Sequence, residues 1–171
     1  VVHLATHGSP DGVFFAGASE AGATLSMAEV HALALPRTRL VVLSECDSFK
    51  GELRADGVVG IARAFVAAGA QTLVASLWQV DDQGTLELMR RFYAELVGPA
   101  KEGAGPADAA VALQRAMVAM LRAGGGRAFT PKQWAAFVVY GLAGGLAEKN
   151  RAAPAGGESA VVVRPSEARE P

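Results

Sequence analysis

Three short apolar runs, each followed by a stretch of helical period, limit this chain most. Val1 to Thr6, Arg39 to Ser44 and Gln71 to Trp78 are apolar at nearly consecutive positions and rich in β-branched residues. Such runs suit strands covered on both faces, as in parallel sheets. Ser26-Met27-Ala28-Glu29 has capping-box spacing and predicts a helix to about Leu35, stopped by Pro36. Val58, Ile61, Ala62, Phe65 and Gly69 mark one face of a second helix, with Gly69 near its C-cap. Asp81 or Asp82 caps a third, whose apolar face is Leu86, Met89, Phe92, Tyr93 and Leu96. Pro106 suits the first turn of a fourth helix that runs to about Ala123 and stops at Gly124-Gly125-Gly126. Trp134 to Tyr140 reads as a last strand. Strands alternating with helices predict a three-layer α/β/α fold on a mostly parallel sheet.

Smaller signals fill in the outline. Ser9-Pro10-Asp11-Gly12 is turn chemistry, and Val13 to Ala16 with Ala23 to Leu25 predict a hairpin. From Ala147 onward, Asn150, Pro154, Gly156, Gly157 and Pro165 predict a tail without fixed structure. The ordered domain is therefore read as residues 1–146 and the tail as 147–171, with Val161-Val162-Val163 leaving open one added strand. The chain opens on Val1 inside a strand, and is read as an N-terminally truncated piece that lacks earlier strands. Its first strand would then present an unpaired edge.

Composition removes several classes of function. Lysine plus arginine number 16 against 17 acidic residues, so no basic footprint for nucleic acid or an anionic membrane is present. The longest apolar stretch, Val58 to Ala70, is broken by Arg63 and falls short of the roughly 18 residues of a membrane span. One cysteine allows no internal disulfide and fits a reducing, cytoplasmic compartment. Three histidines and that cysteine lack short ligand spacing, which argues against zinc. No clustered acidic loop calls for calcium, and no cofactor is expected.

Functional groups of parallel α/β folds collect at the carboxyl ends of the strands. His7 ends the first run and Cys46 follows the second. Consecutive parallel strands are commonly neighbours, about 4.8 Å apart, so the two side chains come within reach of each other. An ordinary thiol has a pKa near ~8.5 and is mostly protonated at neutral pH. An adjacent imidazole can take its proton, hold the thiolate as an ion pair, and later protonate a leaving amine. The amides of Gly8 and Cys46 are candidates for an oxyanion hole. A cysteine alone is more often a small buried hydrophobe; the His-Gly at the neighbouring strand end is what favours catalysis. His3, inside the strand, reads as a satisfied structural histidine, and His31 as a surface or packing residue.

HLATHG (His3 to Gly8), LSECDS (Leu43 to Ser48), VASLWQVDD (Val74 to Asp82) and WAAFVVYG (Trp134 to Gly141) occur in that order. Together they resemble the CHAT domain, a caspase- and separase-related family often found behind tetratricopeptide repeats. The resemblance implies a caspase-like fold and a cysteine endopeptidase, with His7 as base or imidazolium partner and Cys46 as nucleophile. It also implies a protein or peptide substrate, and control by upstream repeats or an activating protein. Related peptidases hold a basic side chain with acidic groups at this rim, which makes Asp82, with Glu45 and Asp47, candidates for binding an arginine or lysine before the scissile bond. Trp78 reads as core packing or as a wall of that pocket. Three positions depart from the family pattern: Glu45 stands where a small residue is usual, and Phe49-Lys50 stand where glycines are. A carboxylate beside the thiol opposes thiolate formation. The alternative is accordingly a catalytically inactive, caspase-like interaction module.

Overall fold

The computed structural model describes residues 1–9, 12–15, 24–44, 52–54, 57–98, 108–141 and 161–163. Along the chain the strands and helices are β1 (Val2–Leu4), β2 (His7–Ser9), β3 (Gly12–Phe14), β4 (Thr24–Ser26), α1 (Met27–Ala32), β5 (Leu40–Leu43), β6 (Glu52–Arg54), β7 (Gly57–Val59), α2 (Ile61–Ala67), β8 (Thr72–Ser76), α3 (Asp82–Val97), α4 (Ala109–Arg122), α5 (Pro131–Trp134), β9 (Phe137–Gly141) and β10 (Val161–Val163). The main sheet has the order β10-β1-β5-β8-β9. Its first four strands run parallel, and β9 is antiparallel to β8.

The apolar runs are strands because both faces of the sheet are covered. Every residue of β5 and β8 is buried. Side chains alternate across the pleat: Leu40, Val42 and Val74 point into one core with Leu88, Phe92, Leu113 and Met120 of α3 and α4. Val41, Leu43, Leu73 and Ala75 point into the other, with Val30 of α1 and Ile61 and Phe65 of α2. This is a three-layer sandwich with the parallel sheet in the middle. Each such side chain, wholly removed from water, contributes about 1.5–3 kcal/mol.

Local signals fix the helix ends. Ser26 and Glu29 form the expected capping box: the Glu29 carboxylate accepts from the Ser26 amide at 2.8 Å, and the Ser26 hydroxyl accepts from the Glu29 amide at 3.3 Å. The Ser26 hydroxyl, which also donates to the Glu29 carboxylate at 2.7 Å, and then the Ser26 amide hold that carboxyl below its ordinary pKa. Of the two candidate caps on α3, Asp81 is the one used, accepting from the Gly84 amide at 2.8 Å. After α2 the amides of Gly69 and Ala70 donate to the carbonyls of Val66 and Phe65, a Schellman ending with Gly69 at φ +109°.

Several expectations shift. The chain leaves the sheet after Leu4, not at His7, and His7–Ser9 pairs antiparallel with β3. The Thr6 hydroxyl donates to the Phe14 carbonyl and helps start that pairing. With β4 on the other side of β3, the expected hairpin becomes a three-stranded sheet. Helix α1 stops at Ala32, before Leu35. Val58 belongs to β7, which pairs with β6, so α2 begins at Ile61. The last strand starts at Phe137, because Pro131 opens a turn of helix in which Gln133 Oε1 accepts from the Thr130 amide at 2.9 Å. On α3 the inner face is rotated from the expected one: Leu88 is fully buried and Leu86 is 57% exposed. Finally, the outer edge of β1 has a neighbour, since Val161–Val163 pairs with it in parallel, Val2 opposite Val161.

Candidate active site

Because β1, β5 and β8 are parallel, their carboxyl ends open on one rim of the sheet. The ends of β1 and β5 are tied together there. The Ser44 amide donates to the Leu4 carbonyl at 3.0 Å, one step beyond the last paired residues of the two strands. Three residues past Leu4, His7 opens β2 opposite Phe14, with its side chain exposed. Gly8 follows opposite Val13 and is half-buried. Cys46, Glu45 and Asp47 lie outside the described residues, as does most of the stretch read as a tail.

The third strand end supplies the other candidates. Beyond β8, the Leu77 amide donates to the Ala136 carbonyl at 2.7 Å, and the Trp78 indole donates to the Lys132 carbonyl at 3.1 Å. Trp78 is half-buried and packs against the core under α3 and α4. Its packing duty is therefore plain, and its indole N–H is already engaged. Asp81 spends its carboxylate on the cap, whereas Asp82 is exposed in the first turn of α3. Gly84 lets this turn sit tightly on α5, since a Cβ there would lie 2.9 Å from Gln133. The sheet order puts β5, the strand that leads to Cys46, between the strands that lead to His7 and to Asp82. Those two outer strands are about 10 Å apart. His7, Gly8, Trp78 and Asp82 thus share one rim, and no hydrogen bond among the described residues joins them to one another.

A cluster that the sequence hid lies one layer below. His3 is buried, with Nε2 2.7 Å from Ser44 Oγ and Nδ1 3.0 Å from the Tyr93 hydroxyl. The His3 and Tyr93 rings lie 5.6 Å apart, tilted by 34°, and Phe92 packs edge-on to Tyr93 at 5.1 Å. Burial pushes the Tyr93 phenol up to about 12. His3 is a satisfied structural histidine, as its place inside a strand implied, but Ser44 and Tyr93 gave no sign of being its partners. A serine ending one buried strand beside a histidine in the next was the available signal. Among the described residues, no three His, Cys, Asp or Glu side chains gather as a metal ion requires.

Residues 1–142 match the CHAT domain family. Tetratricopeptide repeat protein 28 of Homo sapiens is 34% identical over 118 residues, which is 68% of this chain and 4% of that protein. Its Mus musculus counterpart is 34% identical over 104 residues, 60% of this chain and again 4% of the relative. This chain therefore spans a small part of the curated relatives it matches. Among solved structures, a chain of the Saccharomyces cerevisiae separase–securin complex superposes with a TM-score of 0.51 at 15% identity, over 68% of this chain and 7% of that one. At that identity the likeness concerns the fold, and it is a caspase-like α/β fold.

Proposed function

Given that this chain belongs to the CHAT domain family, we propose that it is a cysteine endopeptidase in which Cys46 is the nucleophile and His7 its proton partner. The observation that carries the proposal is the bond from the Ser44 amide to the Leu4 carbonyl, which joins the two strand ends at 3.0 Å. Cys46 is two residues beyond one end and His7 three beyond the other. At roughly 3.5 Å per residue, tethers of about 7 and 10 Å limit how far either group can lie from that bond, which supports a dyad. Nothing of comparable chemistry occurs elsewhere in the sequence, where Cys46 is the single cysteine.

In this mechanism the imidazole of His7 removes the thiol proton, and the Cys46 sulfur attacks the scissile carbonyl. The amides of Gly8 and Cys46 receive the developing oxyanion. His7 returns the proton to the leaving amine, and a water molecule, deprotonated by His7, releases the acyl group. Asp82, free of capping duty and exposed, supplies negative charge for an arginine or lysine before the scissile bond, with Glu45 and Asp47 assisting. The relatives are named for tetratricopeptide repeats. Upstream repeats, or an activating protein bound by them, would then control the domain in a reducing, cytoplasmic setting.

The test is the pH dependence of Cys46 alkylation by iodoacetamide, with and without His7→Ala. A working dyad gives reaction well below the ordinary thiol value of about 8.5, and the substitution abolishes that advantage. An ordinary profile in both proteins refutes the dyad. It favours instead an inactive interaction module, the reading that Glu45, a negative charge next to the thiol, supports.

A further inference from the structure

The proposed chemistry makes no use of His3, yet this ring joins more elements than any other polar side chain described above. It sits on β1 opposite Val42 of β5, on the face covered by α3. One nitrogen meets Ser44 and the other meets Tyr93 of α3. Three pieces of the rim are thereby linked: the strand leading to His7, the strand leading to Cys46, and the helix that starts at Asp82. Ser44 directly follows β5 and its amide still bonds to Leu4 of β1, and Cys46 is two positions on.

We infer that His3 is a positioning residue for Cys46, linking Ser44 to Tyr93 and so fixing the backbone two positions before the thiol. A buried imidazole engaged at both nitrogens cannot turn without breaking both bonds. Burial keeps the Tyr93 phenol protonated throughout the range in which a thiol titrates. With Tyr93 donating to Nδ1, the ring proton is on Nε2 and points to Ser44; in the other tautomer both bonds reverse. Either way Ser44 stays tethered. An apolar side chain in place of His3 would fill the space and leave two hydroxyls without this partner. The inference rests on the dyad for what the thiol does, though not for where it is held.

Tyr93→Phe and Ser44→Ala each remove one hydroxyl and little volume, so both test the tether without emptying the core. The intact chain has one cysteine, and iodoacetamide therefore reports a single site. In each variant the alkylation rate at neutral pH should fall about three- to tenfold, and the apparent thiol pKa should move toward the ordinary value. Ser44→Thr, which keeps a hydroxyl on the same carbon, should recover the wild-type profile, with thermal melts confirming that all three are folded. If Tyr93→Phe and Ser44→Ala react as the wild type does while His7→Ala changes the profile, the positioning role is overturned and the dyad stands. If His7→Ala has no effect while the other two do, the dyad fails and the positioning role stands. Unchanged profiles in all variants overturn both.

Discussion

Tyr93 illustrates how one side chain can serve two layers. Its ring belongs to the apolar face of α3, as expected from helical spacing, and its hydroxyl reaches across to His3. Burial raises its pKa from 10.0 to about 12. The folded chain thus holds the phenolic proton more tightly than the unfolded chain. The resulting stabilisation is whole below pH 10 and is lost as pH rises through 12. Urea unfolding followed across that range should show a stability that falls with pH, and Tyr93→Phe should flatten the fall. A hydroxyl partner cannot be read from spacing, since helical period identifies a buried face and says nothing of which polar atom opposes it. By contrast it was legible that His7, Gly8 and the Asp81–Asp82 pair follow buried strands, because each comes shortly after an apolar run, although β1 itself ends earlier, at Leu4.

Between neighbouring helices and strands, the carboxylates of Asp81 and Asp82 separate two duties. Asp81 accepts from the Gly84 amide and satisfies one of the free donors at the start of α3. Asp81→Ala should therefore cost about 1 kcal/mol of stability in urea unfolding. Asp82 has no side-chain hydrogen bond among the described residues, and through the dipole of the first turn its loss should cost about 0.3–1 kcal/mol at most, less in high salt. Its substitution should show instead as slower cleavage of arginyl than of neutral peptides. Equal losses on both would leave Asp82 without a role in specificity. The strands and longer helices of the main sandwich were readable from the apolar runs and caps; β2, β6, β7, α5 and the element boundaries were not, for reasons of tertiary pairing. His7–Ser9 became a strand because β3 lay alongside it, and the turn at Pro131 took residues from the last strand because Gln133 could reach back to Thr130. Leu88 replaced Leu86 on the inner face of α3, a rotation that sequence period alone leaves loose by a residue or two.

Across the whole molecule, the sheet brings together residues far apart in the chain. His3 pairs with Val42 on one side and with Val162 on the other. The first pairing closes a loop of about forty residues and the second one about four times as long, a difference of about 1.2 kcal/mol in closure entropy. Only three residue pairs offset the longer closure. The strand that shields β1 should for this reason be the first of the sheet to open. In hydrogen exchange, the amides of Val161–Val163 should lose protection before those of Leu40–Leu43, which sit between two strands and are buried on both faces. Exchange in a chain built this way should be one-sided, starting at the edge beside His3 and reaching the centre of the sheet last.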